Sequence, residues 1–211
     1  MTDTSPDNLP GYQPLYYTTR DGIVESIHYG AIAVVTSDGS LFAKAGDPQS
    51  QTFLRSSAKP FQCISLLEMG GKEKFDLSDE ELAVVCASHS GSDQHLRTVS
   101  YLQQKVGITE SDLLCGTHLP ADKASRQKLQ DQGLSSTQIH HNCSGKHTGM
   151  LAQAAILGVP FGKYTEVEHP VQQGILAVFS EMCGVDIDDL GLGRDGCSVP
   201  TFSIPLYKIS L

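Results

Sequence analysis

The spacing of hydrophobic residues changes once along this 211-residue chain, and that change constrains the fold more than any other feature. From Leu15 to Ala45 the sequence is rich in β-branched and aromatic residues, and Ser37-Asp38-Gly39 separates two such runs as a hairpin turn would. From Ala58 onward, apolar residues recur at helical spacing between capping signals. An antiparallel strand meander followed by helices is typical of an α/β (α+β) fold in which an antiparallel sheet packs against helices.

Start and stop signals delimit the helices. Pro60 stands in the first turn of one helix, and the pattern Ser78-x-x-Glu81 is a capping box that opens another. Helices are predicted from Pro60 to Gly70-Gly71, from Ser78 to Ser88, from Asp93 as the cap to Val106, over 122–132, after Met150, and from His169 to Cys183.

The composition is that of a folded globular protein, with 39% hydrophobic and 18% charged residues. We expect a flexible segment over 1–12 and a single domain over 13–211. A net charge of −9 argues against nucleic acid or an anionic membrane as a partner. The chain shows no secretory leader and no bilayer-spanning apolar run, and its six cysteines form no C-x-x-C pair. These features predict a cytoplasmic protein with free thiols.

The segment R-S-S-A-K-P-F-Q, residues 55–62, places a hydroxyl and an amine three residues apart where a helix is predicted to begin. Lys59 would act as a base toward Ser56 if a dry pocket and the neighbouring Arg55 lowered the pKa of its amine. Free N–H groups at the helix start would stabilise an oxyanion. The alternative is a capping serine beside a solvated lysine, and the S-x-x-K pattern alone does not decide between the two.

Two other serine motifs have similar alternatives. The helix predicted over 122–132 repeats the S-x-x-K pattern at Ser125 and Lys128 without any other chemical feature, so the pattern by itself does not indicate catalysis. Ser88, in the segment S-H-S-G, either lines a cleft or only ends a helix.

A second group of reactive side chains surrounds the segment N-C-S-G-K-H, residues 142–147. Cys143 and the distant Cys197 would hold tetrahedral zinc together with one nitrogen ligand and a water. Residue type alone favours His147 or His141 as that nitrogen ligand. Two free cysteines, one of them nucleophilic, are the alternative. Asp195 either orients an amine or caps a turn.

Four segments carry a family resemblance when they are taken together: R-S-S-A-K-P-F-Q, C-A-S-H-S-G, H-N-C-S-G-K-H-T-G-M and D-G-C-S-V-P-T-F. They resemble the L-asparaginase II family of the rhizobial inducible type. The resemblance implies hydrolysis of the L-asparagine side-chain amide to aspartate and ammonia, by a homodimer. It also implies a fold similar to that of serine β-lactamases and glutaminases.

The resemblance also implies roles for individual residues. The matched positions are Ser56, Lys59 and Ser88 as catalytic residues, Cys143, Lys146 and Cys197 as zinc ligands, and Arg55, His147 and Asp195 around the substrate. Lys146 thus replaces histidine as the expected nitrogen ligand. All these groups are expected to gather around one water-poor hollow.

One family feature has no match in this chain. The lysine that completes the pair with Ser88 would lie beyond Leu211. The apolar segment that begins at Phe202 also stops at Leu211. We therefore expect a domain that lacks part of its C-terminus. The alternatives are a catalytically impaired relative, a zinc-stabilised binding module, and a β-lactamase or peptidase. The last of these would not use the cysteines and would normally be exported.

Overall fold

A computed structural model of the chain describes residues 11–211, which form two compact units. The first unit contains residues up to Leu54 together with Asp188–Gly191 and Ser203–Leu211, and the second contains Arg55–Ile187 and Leu192–Phe202. Residues 1–10, most of the segment predicted to be flexible, lie outside the described part. Small antiparallel sheets and packed helices confirm the predicted fold class, whereas the single domain over 13–211 stays a prediction.

The first unit begins with two hairpins. Strands β1 (Gln13–Arg20) and β2 (Ile23–Gly30) pair antiparallel, and so do β3 (Ile32–Val35) and β4 (Leu41–Ala45). Gly39 has φ +84° in the turn between β3 and β4, which confirms the predicted hairpin.

The two hairpins form separate two-stranded sheets, so the predicted continuous meander is wrong. Ala31 alone separates β2 from β3, and one residue is too short a connection for the chain to reverse direction.

A third sheet has the order β5 (Gln51–Phe53), β7 (Pro200–Pro205), β6 (Gly191–Arg194). Within the first unit, Thr52 of β5 pairs with Ile204 of β7 in antiparallel register. The chain continues from β7 into a single helical turn, α8 (Leu206–Ile209). A strand is therefore present where the apolar residues from Phe202 onward predict an element, although it begins two residues earlier, at Pro200.

The second unit is helical, and most of its helices agree with the predicted ones, but the helix at Gly71–Lys74 was not predicted, and the helix expected after Met150 begins earlier, at Ser144. The helices are α1 (Lys59–Glu68), α2 (Gly71–Lys74), α3 (Asp79–Cys86), α4 (Asp93–Val106), α5 (Lys123–Asp131), α6 (Ser144–Leu157) and α7 (Pro170–Cys183). Helix α6 is the centre of this unit, because its residues 144–154 are all buried and it packs against α1, α3, α4 and α7.

The close approach of α6 to α3 depends on two glycines. A Cβ atom on Gly145 would lie 2.9 Å from the carbonyl carbon of Val84 in α3, and closer still to its oxygen. A Cβ atom on Gly149 would lie 2.7 Å from Cγ1 of Val85. The absence of side chains at these two glycines lets the start of α6 lie directly against the end of α3. The candidate site residues are located at this junction.

Side-chain caps set two of the helix starts. The predicted capping box is confirmed, because Ser78 Oγ accepts a hydrogen bond from Glu81 N and the Glu81 carboxylate accepts one from Ser78 N. The cap of α4 was placed one residue too late in the sequence analysis. Ser92 has the extended backbone of a capping residue and accepts from His95 N, so Asp93 is the first helical residue.

Candidate active site

The candidate site residues come from distant parts of the chain and meet in the second unit. They lie on a 3-10 turn over Arg55–Ala58, at the start of α1, on the loop after α3, at the start of α6 and on the turn after β6. Short segments at element ends are where functional side chains commonly lie, because the packed helices fix their positions.

A chain of hydrogen bonds connects a buried amine to two hydroxyl groups. Lys59 is 1% exposed, and its Nζ donates to the carbonyl oxygen of Ala87 at 2.9 Å and to Ser88 Oγ at 2.6 Å. Ser88 Oγ in turn donates to Ser56 Oγ at 3.0 Å. Lys59 therefore contacts Ser88 directly and reaches Ser56 only through it.

This arrangement differs from the predicted direct pairing of Ser56 with Lys59. Ser56 lies in a 3-10 turn that precedes α1, and Arg55 before it has the left-handed backbone angle φ +52°. The two residues therefore do not share one face of a regular α-helix as the spacing suggests. Ser56 and Ser88 are also exposed, so the hydroxyls lie at an open surface while the amine is buried behind them.

The surroundings of Lys59 favour its neutral form. Burial lowers the pKa of Lys59 below its ordinary value, and the positive charge of Lys146 acts in the same direction. The thiols of Cys143 and Cys197 oppose this shift. The net direction is downward, which is what a lysine needs in order to accept a proton near neutral pH.

Three further predicted residues form a buried cluster of two thiols and an amine. Lys146 Nζ donates to Cys197 Sγ at 2.9 Å, and both side chains are 2% exposed. The thiol of Cys143 hydrogen-bonds that of Cys197, and this bond lowers the pKa of Cys197 while it raises that of Cys143. These shifts favour ionisation of Cys197 over Cys143. The thiol of Cys143 is close enough to Lys59 to act on the pKa of its amine, so the two groups of candidate residues lie side by side.

His147 is fully buried beside this cluster. Tyr164 OH accepts a hydrogen bond from Leu114 N at 2.8 Å, so its own proton points to His147 Nδ1 at 2.6 Å. His147 is 0% exposed and does not line the cavity described next. It thus lies behind Cys197 rather than in this cavity wall, and its role around the substrate stays a prediction.

A cavity of about 440 Å³ opens over these groups. It is lined by Arg55, Ser56, residues 115–118, residues 141–143 and residues 195–197. Arg55 Nε donates to Asp195 Oδ1 at 2.7 Å across this cavity wall. Two of the three residues predicted to bind substrate therefore pair with each other, in a cavity of the size that small ligands occupy.

Sequence reasoning missed part of this cavity wall. Cys115, Thr117 and His118 line it, although they come from a loop without a recognisable motif. The rings of His118 and His141 lie 4.3 Å apart, so two histidines form one side of the cavity. From the sequence, His141 was interpreted as part of a polar loop pair with His140 or as a metal ligand, and not as part of a cavity wall.

Sequence reasoning also missed the role of His89. Its backbone N–H donates to the carbonyl oxygen of Asn142 at 3.1 Å, and its Nδ1 accepts from Gly91 N. Its Nε2 therefore carries the proton and donates to Ser144 Oγ at 2.8 Å. Burial lowers the pKa of His89 to about 4, which keeps the ring neutral. His89 fixes the loop that carries Ser88 to the start of α6.

The thiol cluster fits a zinc ion by its donor types, since two thiols and one amine converge in a buried position. Within residues 11–211, no group of three or more His, Cys, Asp or Glu side chains is arranged to hold a metal ion. The candidate set has only two such side chains, because its third donor is Lys146.

Hydroxyl groups bonded to a buried amine, beside a cavity for a small molecule, are typical of hydrolases that activate a serine. The family model of L-asparaginase II matches residues 17–211. The chain therefore belongs to the L-asparaginase II family, an amidohydrolase family that acts on the side-chain amide of asparagine, and the predicted resemblance is confirmed. Comparison with curated proteins finds no match.

Proposed function

We propose that this L-asparaginase uses Ser56, Ser88 and Lys59 to hydrolyse the amide of L-asparagine. The observation that carries the proposal is the continuous set of hydrogen bonds from the buried Lys59 amine through Ser88 to Ser56. Ser56 in turn lines the cavity. A serine hydroxyl is a weak nucleophile at its ordinary pKa, and a neighbouring base that removes its proton makes it reactive.

In the resting structure Lys59 donates to Ser88, and Ser88 donates to Ser56. During the reaction, protons would move in the opposite direction, from Ser56 to Ser88 and from Ser88 to Lys59. Neutral Lys59 accepts the proton of Ser88, and Ser88 accepts the proton of Ser56 as its oxygen attacks the amide carbon. The resulting tetrahedral intermediate collapses, and ammonia leaves with the proton that Lys59 returns. Water then hydrolyses the aspartyl ester, so the products are L-aspartate and the free serine. Attack by Ser88 is the alternative assignment, because Ser88 contacts the amine directly.

Cys143, Lys146 and Cys197 are proposed to hold zinc. A bound zinc ion supplies a Lewis acid that polarises or holds the substrate. Coordination would keep both thiols deprotonated and Lys146 neutral, so that neither sulfur is a competing nucleophile.

Ammonia release from L-asparagine tests the serine proposal. Ser56→Ala and Lys59→Met are each expected to lower kcat by about 100-fold or more, because each removes part of the proton path. Lys128→Met in α5 is the matched control, since Lys128 belongs to the second S-x-x-K pattern and lies 56% exposed beside Asp93. Full activity in the Lys59 variant would reject the mechanism.

Ser88→Ala separates the two serine assignments. If Ser88 only relays the proton, mass spectrometry of this variant mixed with asparagine detects an aspartyl ester on Ser56, formed slowly. An ester that forms on Ser88 in the wild-type protein and never on Ser56 would select the alternative assignment.

Metal content tests the zinc proposal. The wild-type protein is expected to retain one zinc per chain after dialysis, and Cys143→Ala is expected to lose it. Cys115→Ala is the matched control, because Cys115 is a buried thiol in the same cavity that hydrogen-bonds only carbonyl oxygens. Equal zinc content in the Cys143 variant would reject the site.

Partners and location follow the family. Within the described residues, no helix has the length and apolar content needed to cross a membrane. A homodimer and a cytoplasmic location are proposed, and the described cysteines, all unpaired by disulfides, are consistent with a reducing compartment. Light scattering of the purified protein tests the dimer.

A further inference from the structure

We propose that His141 is a specificity-determining residue whose Nε2–H donates a hydrogen bond to the α-carboxylate of the substrate. The proposal rests on the proposed function, since it assigns a substrate contact within the same cavity. It depends on the ring orientation of His141, on its place in the cavity wall, and on the chemistry that a neutral imidazole offers.

The backbone fixes which nitrogen of His141 carries the proton. Nδ1 accepts a hydrogen bond from Cys143 N at 3.0 Å, so Nδ1 has no proton and Nε2 has one. Nε2 has no hydrogen-bond partner among residues 11–211, although the side chain is only 8% exposed. Nε2 is not among the fully buried polar atoms, so it keeps some contact with the cavity, and a donor with so little access to water gains from an acceptor that enters there.

The position of His141 supplies the place for that acceptor. His141 lines the 440 Å³ cavity together with Ser56 and Asp195. The neighbouring His118 has both nitrogens occupied, because Nδ1 bonds the carbonyl oxygen of Leu119 at 2.8 Å and Nε2 accepts from Asn142 N at 3.0 Å. Of the two rings on this wall, His141 is therefore the one that offers a free donor.

Substrate chemistry selects the α-carboxylate as the acceptor. Asparagine offers two kinds of acceptor oxygen, on the amide and on the α-carboxylate. The amide must lie at the serine hydroxyls, and the α-ammonium has no acceptor to offer. A hydrogen bond to a charged oxygen is also about twice as strong as one to a neutral oxygen.

The experiment compares three substitutions at this position. His141→Asn keeps the backbone contact, because an Asn side-chain oxygen accepts from the N–H two residues later, but its shorter amide places no N–H group at the position of His141 Nε2. His141→Gln loses the backbone contact and keeps an N–H group that reaches toward the cavity. His141→Ala loses both. His140→Asn is the matched control, because His140 bonds Thr137 and does not line the cavity.

The expected result is a KM effect. His141→Asn should raise KM for L-asparagine about 10- to 100-fold with kcat within about 3-fold, since a hydrogen bond to a charged group is lost in ground and transition states alike. His141→Gln should retain part of the affinity, and His140→Asn should match the wild type. Calorimetry with the product L-aspartate should show the same loss of affinity in His141→Asn, which gives a readout independent of turnover.

Three results would overturn the assignment. If His141→Asn behaves as wild type while His141→Ala and His141→Gln are impaired, the residue only supports the backbone. If kcat falls at unchanged KM, the donor serves the amide oxygen instead. If the wild-type protein neither releases ammonia nor binds L-aspartate, the proposed function fails and this inference fails with it. If the wild-type protein releases ammonia and binds L-aspartate, either of the first two results rejects this inference while the proposed function stands.

Discussion

Replacement of Gly145 by alanine tests the packing that positions the site. Gly145 lies in the first turn of α6, between Ser144 and Lys146, and faces the end of α3. A Cβ atom there would meet the backbone carbonyl of Val84 at 2.9 Å from its carbon, and closer to its oxygen. A backbone group cannot move aside as a side chain can, so the helix itself would have to shift.

The magnitude follows from two opposing effects. Insertion of a methyl group into a packed interface costs about 1–3 kcal/mol, and a clash with backbone places Gly145→Ala at the upper end. Alanine favours the helix over glycine by about 1 kcal/mol, which is smaller. We expect a net destabilisation of about 2 kcal/mol. Gly174→Ala in α7 is the matched control, because its Cβ atom would meet side-chain atoms of Met69 and Ser65 only at 3.5 Å. That variant should gain up to about 1 kcal/mol.

Urea unfolding measured by circular dichroism checks both values at constant m. The two alanine variants should differ by about 3 kcal/mol, with wild type between them. Equal stability of Gly145→Ala and Gly174→Ala would refute the reasoning, because helix propensity would then outweigh the contact with α3. A change of m instead of midpoint would show that the substitution altered the unfolded state.

Three further substitutions test other parts of the second unit. Burial opposes ionisation of Glu81, but hydrogen bonds from Lys105 and from backbone outweigh it and hold the pKa of Glu81 below its ordinary value. Glu81→Gln should therefore lower the free energy of unfolding by about 1–2 kcal/mol at pH 7, and this loss should shrink as the pH falls below about 4. Urea titrations at pH 7 and below pH 4 measure both values. A cost independent of pH would contradict this. Tyr164→Phe should cost about 1–3 kcal/mol, because Leu114 N–H loses its acceptor, and hydrogen exchange at that amide should accelerate. Leu102→Ala should cost about 2–5 kcal/mol, since Leu102 is 0% exposed, and thermal unfolding would show it; a smaller loss would mean that the core closes over the gap.

Much of the secondary structure was predictable, because its signals are local. The capping box at Ser78, the hairpin turn at Gly39 and the glycine after Val106 each act through bonds and backbone angles within a few residues. The error at Ser92 arose because serine and aspartate are equally good caps, so only the backbone angle distinguishes them. The joined meander was wrong because hydrophobic pattern specifies strands and not their partners.

The candidate site was predictable in its members more than in its contacts. The family resemblance named Ser56, Lys59 and Ser88, but it implied pairing of Lys59 with Ser56 rather than with Ser88. The role that it implied for His147 around the substrate stays a prediction, since hydrogen bonding to Tyr164 holds that ring inside the protein. Which atom meets which depends on helix packing, and no motif encodes that distance.

The sequence by itself determined the residue types, most of the helix boundaries and the family, since these depend on chemistry along the chain. Only the tertiary structure decided that the Lys59 amine lies below two hydroxyls, and that the protonated nitrogen of His141 is left free beside a cavity. The physical reason is that the contacts of Lys59 and the walls of the cavity join residues tens of positions apart, and their geometry depends on how closely α6 can approach α3. That approach depends on the absence of a side chain at Gly145.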